Sequence, residues 1–367
     1  MGHYLRRILL IFPLIIANTS VNAFEFSLAT GVTFVSGDDE QKNFAIGQVE
    51  LLAEHNISDK TYAVVDVMFD STRYETETEI ERLSVNRVVN DSFQFGVGRY
   101  TKPLGFWNHN FSHGSLSQHT VSRPYLIDIE EEDKGFLPSH LVGLLLRGES
   151  DSWTYQFAVA NTDAIDSSNA AMGSGSAVVF PLNNESPGDD LTLLFRTTFL
   201  ATDNLEFGLT LGSHNFTETG GSGLVAENEV LFEQSYAALD FNFNTKSFYM
   251  FGEYYFVQFD DNPDIVSSPP AIVQANPDTY DATAYYLQLG FRATETLTLV
   301  TRYESLEFDD NATIMVVQNI VPQNQTVVGF NYALEQSNAI RFEVKDVEPE
   351  VGESDTIYSL QWFFFLL

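Results

Sequence analysis

From residue 24 onward the chain alternates apolar and polar residues in segments of roughly ten, joined by connections that are short and long by turns. No helix-period stripe competes with this pattern. The clearest segment is 191–200, with Leu191, Leu193, Phe195, Thr197 and Phe199 on one face and Thr192, Leu194, Arg196 and Thr198 on the other. Leu205, Phe207, Leu209 and Leu211 likewise oppose Glu206, Gly208, Thr210, Gly212 and His214. Trp153, Tyr155, Phe157 and Val159 oppose Thr154, Gln156, Ala158 and Ala160, and Ile340, Phe342 and Val344 oppose Arg341, Glu343 and Lys345.

The pattern predicts sixteen strands: 24–35, 44–54, 61–74, 80–88, 93–100, 140–148, 152–161, 190–200, 205–215, 230–243, 247–259, 282–293, 297–308, 325–335, 338–347 and 355–366. Connections such as 55–60, 89–92, 149–151, 201–204, 244–246, 294–296 and 335–337 are tight. Those at 36–43, 101–139, 162–189, 216–229, 260–281 and 309–324 are longer or more charged. A soluble sandwich has no reason to put its short turns at one end, whereas an outer-membrane barrel has short periplasmic turns and long outward loops. Hydrocarbon offers backbone groups no partner, so only a helix or a closed barrel can span it. The expected fold is therefore all-β: a transmembrane antiparallel β-barrel of about sixteen strands. Aromatics near strand ends, including Tyr254, Tyr255, Phe256, Tyr285, Tyr286 and the run 362–365, are expected at the membrane interfaces.

Residues 1–23 read as a secretory signal. Arg6 and Arg7 precede the apolar run 8–17, which is too short to span and is interrupted by Pro13, and Val21-Asn22-Ala23 suits cleavage. Residues 24–367 are then expected to form one barrel. Composition narrows its function. The chain has 51 acidic and 18 basic residues, a formal net charge of -33, and no cysteine. Removing the leader takes two arginines and gives -35. Such a surface repels nucleic acid, and disulfides and thiolate metal sites are impossible. The 31 Phe and 16 Tyr argue against disorder.

The last strand, Asp355 to Leu367, with Tyr358, Leu360, Trp362, Phe364 and Leu366 alternating, resembles the C-terminal assembly signal of bacterial outer-membrane proteins, although that signal usually ends in Phe. Phe95-Gly-Val-Gly-Arg-Tyr-Thr-Lys-Pro-Leu-Gly-Phe-Trp107, followed by Ser122-Arg-Pro124 and Leu137-Pro138, resembles proteobacterial outer-membrane porins of the phosphate-selective O/P type. That resemblance covers about residues 93–161. It implies a sixteen-stranded porin whose third long loop, here 101–139, folds inward and narrows the lumen, and a family in which trimers are common. Phosphate selectivity in that group relies on a lumen rich in Lys and Arg. With 16 basic residues left after processing, it is not carried over.

Charges on polar strand faces are the expected pore lining: Glu50, Asp66, Arg196, Glu206, Asp240, Arg292, Arg302, Glu304, Arg341, Glu343 and Lys345. The expected constriction loop carries Trp107, His109, His113, His119, Arg123, Glu130, Glu131, Glu132 and Asp133. Its histidines fit no standard metal spacing. His109 and His113 would share a face only in a helix, which Asn110 and Gly114 disfavour, so no metal or cofactor is expected. Outward carboxylate pairs such as Asp38-Asp39, Asp189-Asp190, Asp260-Asp261 and Asp309-Asp310 could take Ca²⁺ or Mg²⁺ or bridge to lipopolysaccharide, but plain solubility charge accounts for them.

The function expected is passive diffusion of small hydrophilic solutes or ions through a water-filled lumen, leaning to cations, in the outer membrane of a Gram-negative bacterium, with membrane lipid and lipopolysaccharide as surroundings. One rival is a surface adhesin-type barrel with an occluded lumen. Another is a barrel hydrolase, for which Ser112-His113 and His214 are the only hints; no Gly-x-Ser-x-Gly, His-Glu-x-x-His or P-loop supports it. The chain is expected not to be an enzyme.

Overall fold

The computed structural model describes residues 25–37, 43–47, 49–70, 77–111, 118–127, 137–165, 190–219, 225–262, 279–309, 320–335 and 337–366. The signal segment, Asp38, Asp39, Asp189 and Asp310 lie outside the described residues.

The alternating segments form strands in the expected order. They are β1 (Glu25–Ser36), β2 (Asn43–Ile46), β3 (Val49–Ser58), β4 (Thr61–Asp70), β5 (Glu77–Asn90), β6 (Phe93–Thr101), β7 (His140–Glu149), β8 (Trp153–Asn161) and β9 (Asp163–Ile165). After them come β10 (Leu191–Thr202), β11 (Leu205–Glu218), β12 (Val230–Asn244), β13 (Phe248–Asp261), β14 (Thr279–Arg292), β15 (Leu297–Phe308), β16 (Gln323–Glu335), β17 (Asn338–Pro349) and β18 (Asp355–Leu366). Setting aside the short β2 and β9, sixteen strands pair antiparallel, each with its sequence neighbour. The sheet closes where β1 meets β18, from Leu28 opposite Leu366 to Ser36 opposite Tyr358. Closure leaves no edge strand, which is what a barrel in hydrocarbon requires.

Burial is inverted relative to a soluble protein. Along β10 the outward Leu193 is 49% exposed while the inward Arg196 is 1% exposed. Leu239, Phe207, Tyr254, Phe256, Leu287 and Trp362 are exposed, whereas Glu50, Asp66, Gln156, Asp240 and Arg341 are buried. An apolar outer surface of this extent is a membrane surface.

Four departures from the sequence reading have local causes. The expected strand 44–54 is broken: β2 pairs with Val32–Val35 and β3 with Glu25–Ala29, and the Gly47 N–H donates to the Gly31 carbonyl at 2.7 Å. β5 is longer than 80–88 and carries a bulge, because Asp66 pairs with Arg82 and Val67 with Ile80. The extra residue turns both Glu81 and Arg82 inward between the exposed Ile80 and Leu83. There Arg82 reaches Asp66 Oδ2 from Nε (3.0 Å) and Nη2 (2.8 Å), and Glu81 Oε2 lies 2.8 Å from His140 Nε2. β9 was not anticipated. It runs parallel to β11, giving Phe216–Glu218 a partner beyond the end of β10. Finally, Tyr255 and Tyr286 are not interfacial: both are buried inward, while Tyr254 and Tyr285 stack outside with centroids 6.3 Å apart.

The outward assignment of Leu239, 61% exposed near the middle of β12, sets a test. Leu239→Arg should destabilise the barrel folded in lipid vesicles by about 2–4 kcal/mol, the cost of a cation near the bilayer midplane. A loss under about 0.5 kcal/mol in a denaturant titration would place this side chain away from lipid.

Candidate pore constriction

The chain leaves β6 through Lys102-Pro103-Leu104, all buried, and turns into the barrel. The neck of this loop is fastened. The Lys102 N–H donates to the Ser139 carbonyl at 2.7 Å, and Asn108 Nδ2 donates to the carbonyls of Lys102 (2.8 Å) and Ser139 (3.0 Å). Lys102 Nζ forms a buried ion pair with Asp163 Oδ2 of β9 at 3.3 Å.

A seven-residue helix, α1 (Gly105–Phe111), follows. Asn110 joins it, its Nδ2 donating to the Phe106 carbonyl at 2.7 Å, so the expectation that Asn110 disfavours helix is corrected. Gly105 holds φ +58, and a Cβ there would lie 1.9 Å from Glu253 Oε2. Only glycine meets both demands. This close approach lets Glu253, on β13, serve the first turn: Oε1 accepts the Trp107 N–H at 2.5 Å and the Tyr286 hydroxyl at 2.5 Å, and Oε2 accepts the Tyr255 hydroxyl. A carboxylate suits the free N–H groups and positive end of a helix. Phe106 and Phe111 pack on Phe251, with centroids 5.0 and 5.6 Å away.

The far end of the loop is held by β15 and β17. Arg302 Nη1 donates to Thr120 Oγ1 (3.1 Å) and the Ser122 carbonyl (3.0 Å), and Nη2 to Ser122 Oγ and the Arg123 carbonyl (both 2.9 Å). Its Nε reaches Glu304 Oε1 at 2.7 Å, and Glu304 Oε2 accepts the Tyr125 N–H at 2.6 Å. Glu343 Oε2 accepts the N–H groups of Val121 (2.8 Å) and Ser122 (3.1 Å), and its Oε1 the Ser122 hydroxyl (2.5 Å). Around the barrel β15 lies eight long strands from β6. The loop therefore crosses the full lumen.

What it leaves open lies on the β3–β8 side. A cavity of about 440 Å³ is bordered by Glu50, Glu54, Arg82, Tyr100 and α1, and a second of about 380 Å³ by the β5–β6 and β7–β8 turns with Asp91 and Glu149. Both are lined by His109, Arg147 and Gln156, so these three side chains stand where the cavities meet. Gln156 Nε2 lies 3.4 Å from His109 Nδ1. Enclosure in the barrel, then the Arg196 and Arg147 guanidiniums, push His109 down to about 4. His119, stacked on Tyr249 at 5.1 Å, is also pushed down to about 4 by burial and by Arg341 and Arg292. Both imidazoles are neutral at pH 7.

The expected lining residues thus part into groups. Arg196, Asp240, Arg302, Glu304 and Glu343 face inward and are buried, under the loop or in pairs. Arg196 binds Asp240 through Nη1 (2.5 Å) and Nη2 (3.0 Å) and Thr210 Oγ1 at 3.0 Å. Asp66 is covered by Arg82, while the buried Glu50 borders the larger cavity. Arg341 is buried, with Nη1 3.1 Å from Gln361 Oε1 and its guanidinium 4.8 Å above the Phe363 ring. Arg292 caps the β12–β13 turn, donating to the Thr245 carbonyl (2.5 Å) and Asn244 Oδ1 (3.1 Å). Glu206 and Lys345 are half-buried on inward positions. Of the loop residues, Trp107 is buried beneath Arg123, 5.4 Å from its ring centroid. His113, Glu130, Glu131, Glu132 and Asp133 lie outside the described residues.

Sequence reasoning missed Glu253, Arg82, Arg147 and Gln156 as a set. Tyr249, Phe251, Glu253 and Tyr255 share one strand face, and a lone carboxylate among inward aromatics was the available signal for Glu253. His214, the strand-top histidine, packs between Phe216 and Tyr236 with Asp163 Oδ2 at 3.8 Å.

No protein-family model and no curated protein matches this sequence. Solved structures match its fold. OmpF of Salmonella typhi, in complex with daunomycin, has a TM-score of 0.62 at 9% identity, covering 94% of this chain and 97% of its own. The outer-membrane channel DcaP of Acinetobacter baumannii has a TM-score of 0.59 at 13% identity, covering 96% and 100%. OmpT of Vibrio cholerae, an outer-membrane protein folded in vitro, in its trimer form, has a TM-score of 0.59 at 10% identity, covering 94% and 99%. The fold is that of the outer-membrane barrels of Gram-negative bacteria.

Glu253→Ala should lower unfolding free energy by about 3 kcal/mol, since buried donors lose their acceptor, and should raise single-channel conductance as α1 loosens. Unchanged conductance in the folded variant would deny Glu253 its anchoring part. In a histidine NMR titration the His109 resonance should shift with a midpoint near 4; a midpoint near the ordinary 6.5 would contradict its enclosure.

Proposed function

We propose that this chain is an outer-membrane porin through which small hydrophilic solutes and ions diffuse passively. The observation that carries this reading is the pair of cavities meeting at His109, Arg147 and Gln156, beside loop residues 102–111 and 118–127 anchored to the wall. A path with an aqueous cavity on each side of one narrow waist sorts solutes by size and by wall charge, without a chemical step. The carboxylates Glu253, Glu304 and Glu343 are engaged by the loop and do not meet solute. Those that do are Glu54 in one cavity and Asp91 and Glu149 in the other, opposed by Arg82 and Arg147. Small-ion permeation therefore leans modestly to cations.

Within the porins, the Gly98-Arg99 strand end and the Pro103-Leu104-Gly105-Phe106 opening support a place near the phosphate-selective O/P type in loop architecture. The inward Arg196 and Arg302 are already paired with Asp240 and Glu304, which argues against phosphate as the solute. Residues 1–23 would direct export and be removed. The apolar belt would contact lipid and lipopolysaccharide, and the assembly proposed is a homotrimer.

Planar-bilayer recording tests the reading. Folded protein should give stepwise, ohmic conductance and, in a KCl gradient, a reversal potential of the sign of modest cation preference. Absence of conductance would refute the porin; anion preference would refute the cation lean alone.

A further inference from the structure

Inward basic side chains in this barrel are mostly committed to carboxylates: Arg82 to Asp66, Lys102 to Asp163, Arg196 to Asp240 and Arg302 to Glu304. Arg147 differs. Among the described residues no carboxylate pairs with it, and its guanidinium lies over the Tyr100 ring, 5.7 Å from the centroid, with Tyr62 beside it. Stacking of this kind fixes the plane of a guanidinium, the Tyr62 hydroxyl takes one of its N–H groups, and the others remain for a ligand. Arg341 and Arg292 also pair with no carboxylate among the described residues, but one is buried and borders neither cavity, and the other is spent on the Thr245 carbonyl and Asn244 Oδ1. Arg147 alone of the three borders both cavities, so a solute passing the waist meets it.

We propose that the waist is a binding site for the carboxylate of a small monocarboxylate or zwitterionic solute, held by the remaining N–H groups of Arg147 with Gln156 and His109 as hydrogen-bond partners. This deepens, and rests on, the porin reading. A single planar guanidinium offers the two parallel donors that match one carboxylate. Neutral neighbours supply further hydrogen bonds without a second positive charge. Glu54 on one side, and Asp91 and Glu149 on the other, repel multiply charged anions such as phosphate, which a cluster of basic groups would be needed to hold. A zwitterion or monocarboxylate carries no such penalty. Arg82 differs from Arg147 in that its charge is already compensated by Asp66, which accepts from its Nε and Nη2.

The test uses the full-length folded protein in planar bilayers bathed in KCl, with sodium benzoate added as the monocarboxylate and sodium phosphate as the comparison. Benzoate should reduce the open-channel current saturably. Arg147→Gln should raise the half-blocking concentration about tenfold or more, the effect of losing one charge-assisted pair. Arg147→Lys should fall between, and Arg292→Gln should match the wild type. Benzoate block unaltered in a conducting Arg147→Gln channel would overturn the site and leave the porin reading intact. Phosphate blocking as strongly as benzoate would overturn the monocarboxylate class. A folded protein that conducts nothing would fail the porin reading itself.

Discussion

The backbone of an irregular loop inside a barrel has to find partners, and here carboxylates of the wall supply them. Glu253, Glu304 and Glu343, on β13, β15 and β17, take N–H groups of Trp107, Tyr125, Val121 and Ser122, while Arg302 takes the carbonyls of Ser122 and Arg123. Leaving such groups unpaired would cost about 1–3 kcal/mol each. The consequence reaches beyond stability. Because these carboxylates stand on β13, β15 and β17, with Asp163 of β9 and Thr210 of β11 holding Lys102 and Gly105, the loop is drawn to one half of the wall, and the two cavities lie along β3–β8. The geometry of the passage follows from where acids stand on the opposite side.

Membrane insertion and loop anchoring draw on the same period of two. Each strand needs apolar side chains outward and polar ones inward, so every inward position is available for a hydrogen-bonding residue at no cost to the lipid face. Arg302 and Glu304 are two apart on β15, Arg341 and Glu343 two apart on β17, and Glu253 and Tyr255 two apart on β13. The barrel could therefore place paired groups with regular spacing and still satisfy hydrocarbon. The bulge at Glu81 is the exception: it adds an inward residue on β5 and gives Asp66 its guanidinium.

That same regularity decided what could be read beforehand. Outward faces such as Leu193–Phe195 and Leu205–Leu211 announce themselves because lipid imposes one chemistry along the whole strand. Inward faces carry no such rule, so Arg196 and Arg302 were legible as inward yet not as covered: what covers them comes from residues 105–125, roughly 70 to 200 positions away. Gly47 broke a strand that composition left continuous, because the break depends on a bond to Gly31 across the sheet. Arg147 stayed hidden among Leu144, Leu145 and Leu146, where a lone polar residue does not mark a period.

Net charge, -33 over the chain, is accordingly a poor guide to what a solute feels. Acids facing the lumen do two separate jobs. Those under the loop are neutralised locally by N–H groups, hydroxyls and Arg302, and their field is spent across a few ångströms of protein. Those bordering the cavities face water, where screening limits them to about 8–10 Å at physiological salt. A waist holding one guanidinium without a carboxylate partner among the described residues, between two acidic cavities, alternates in sign along the path. Selectivity in such a channel is set by the order in which charges are met and by which of them are already paired, rather than by their sum.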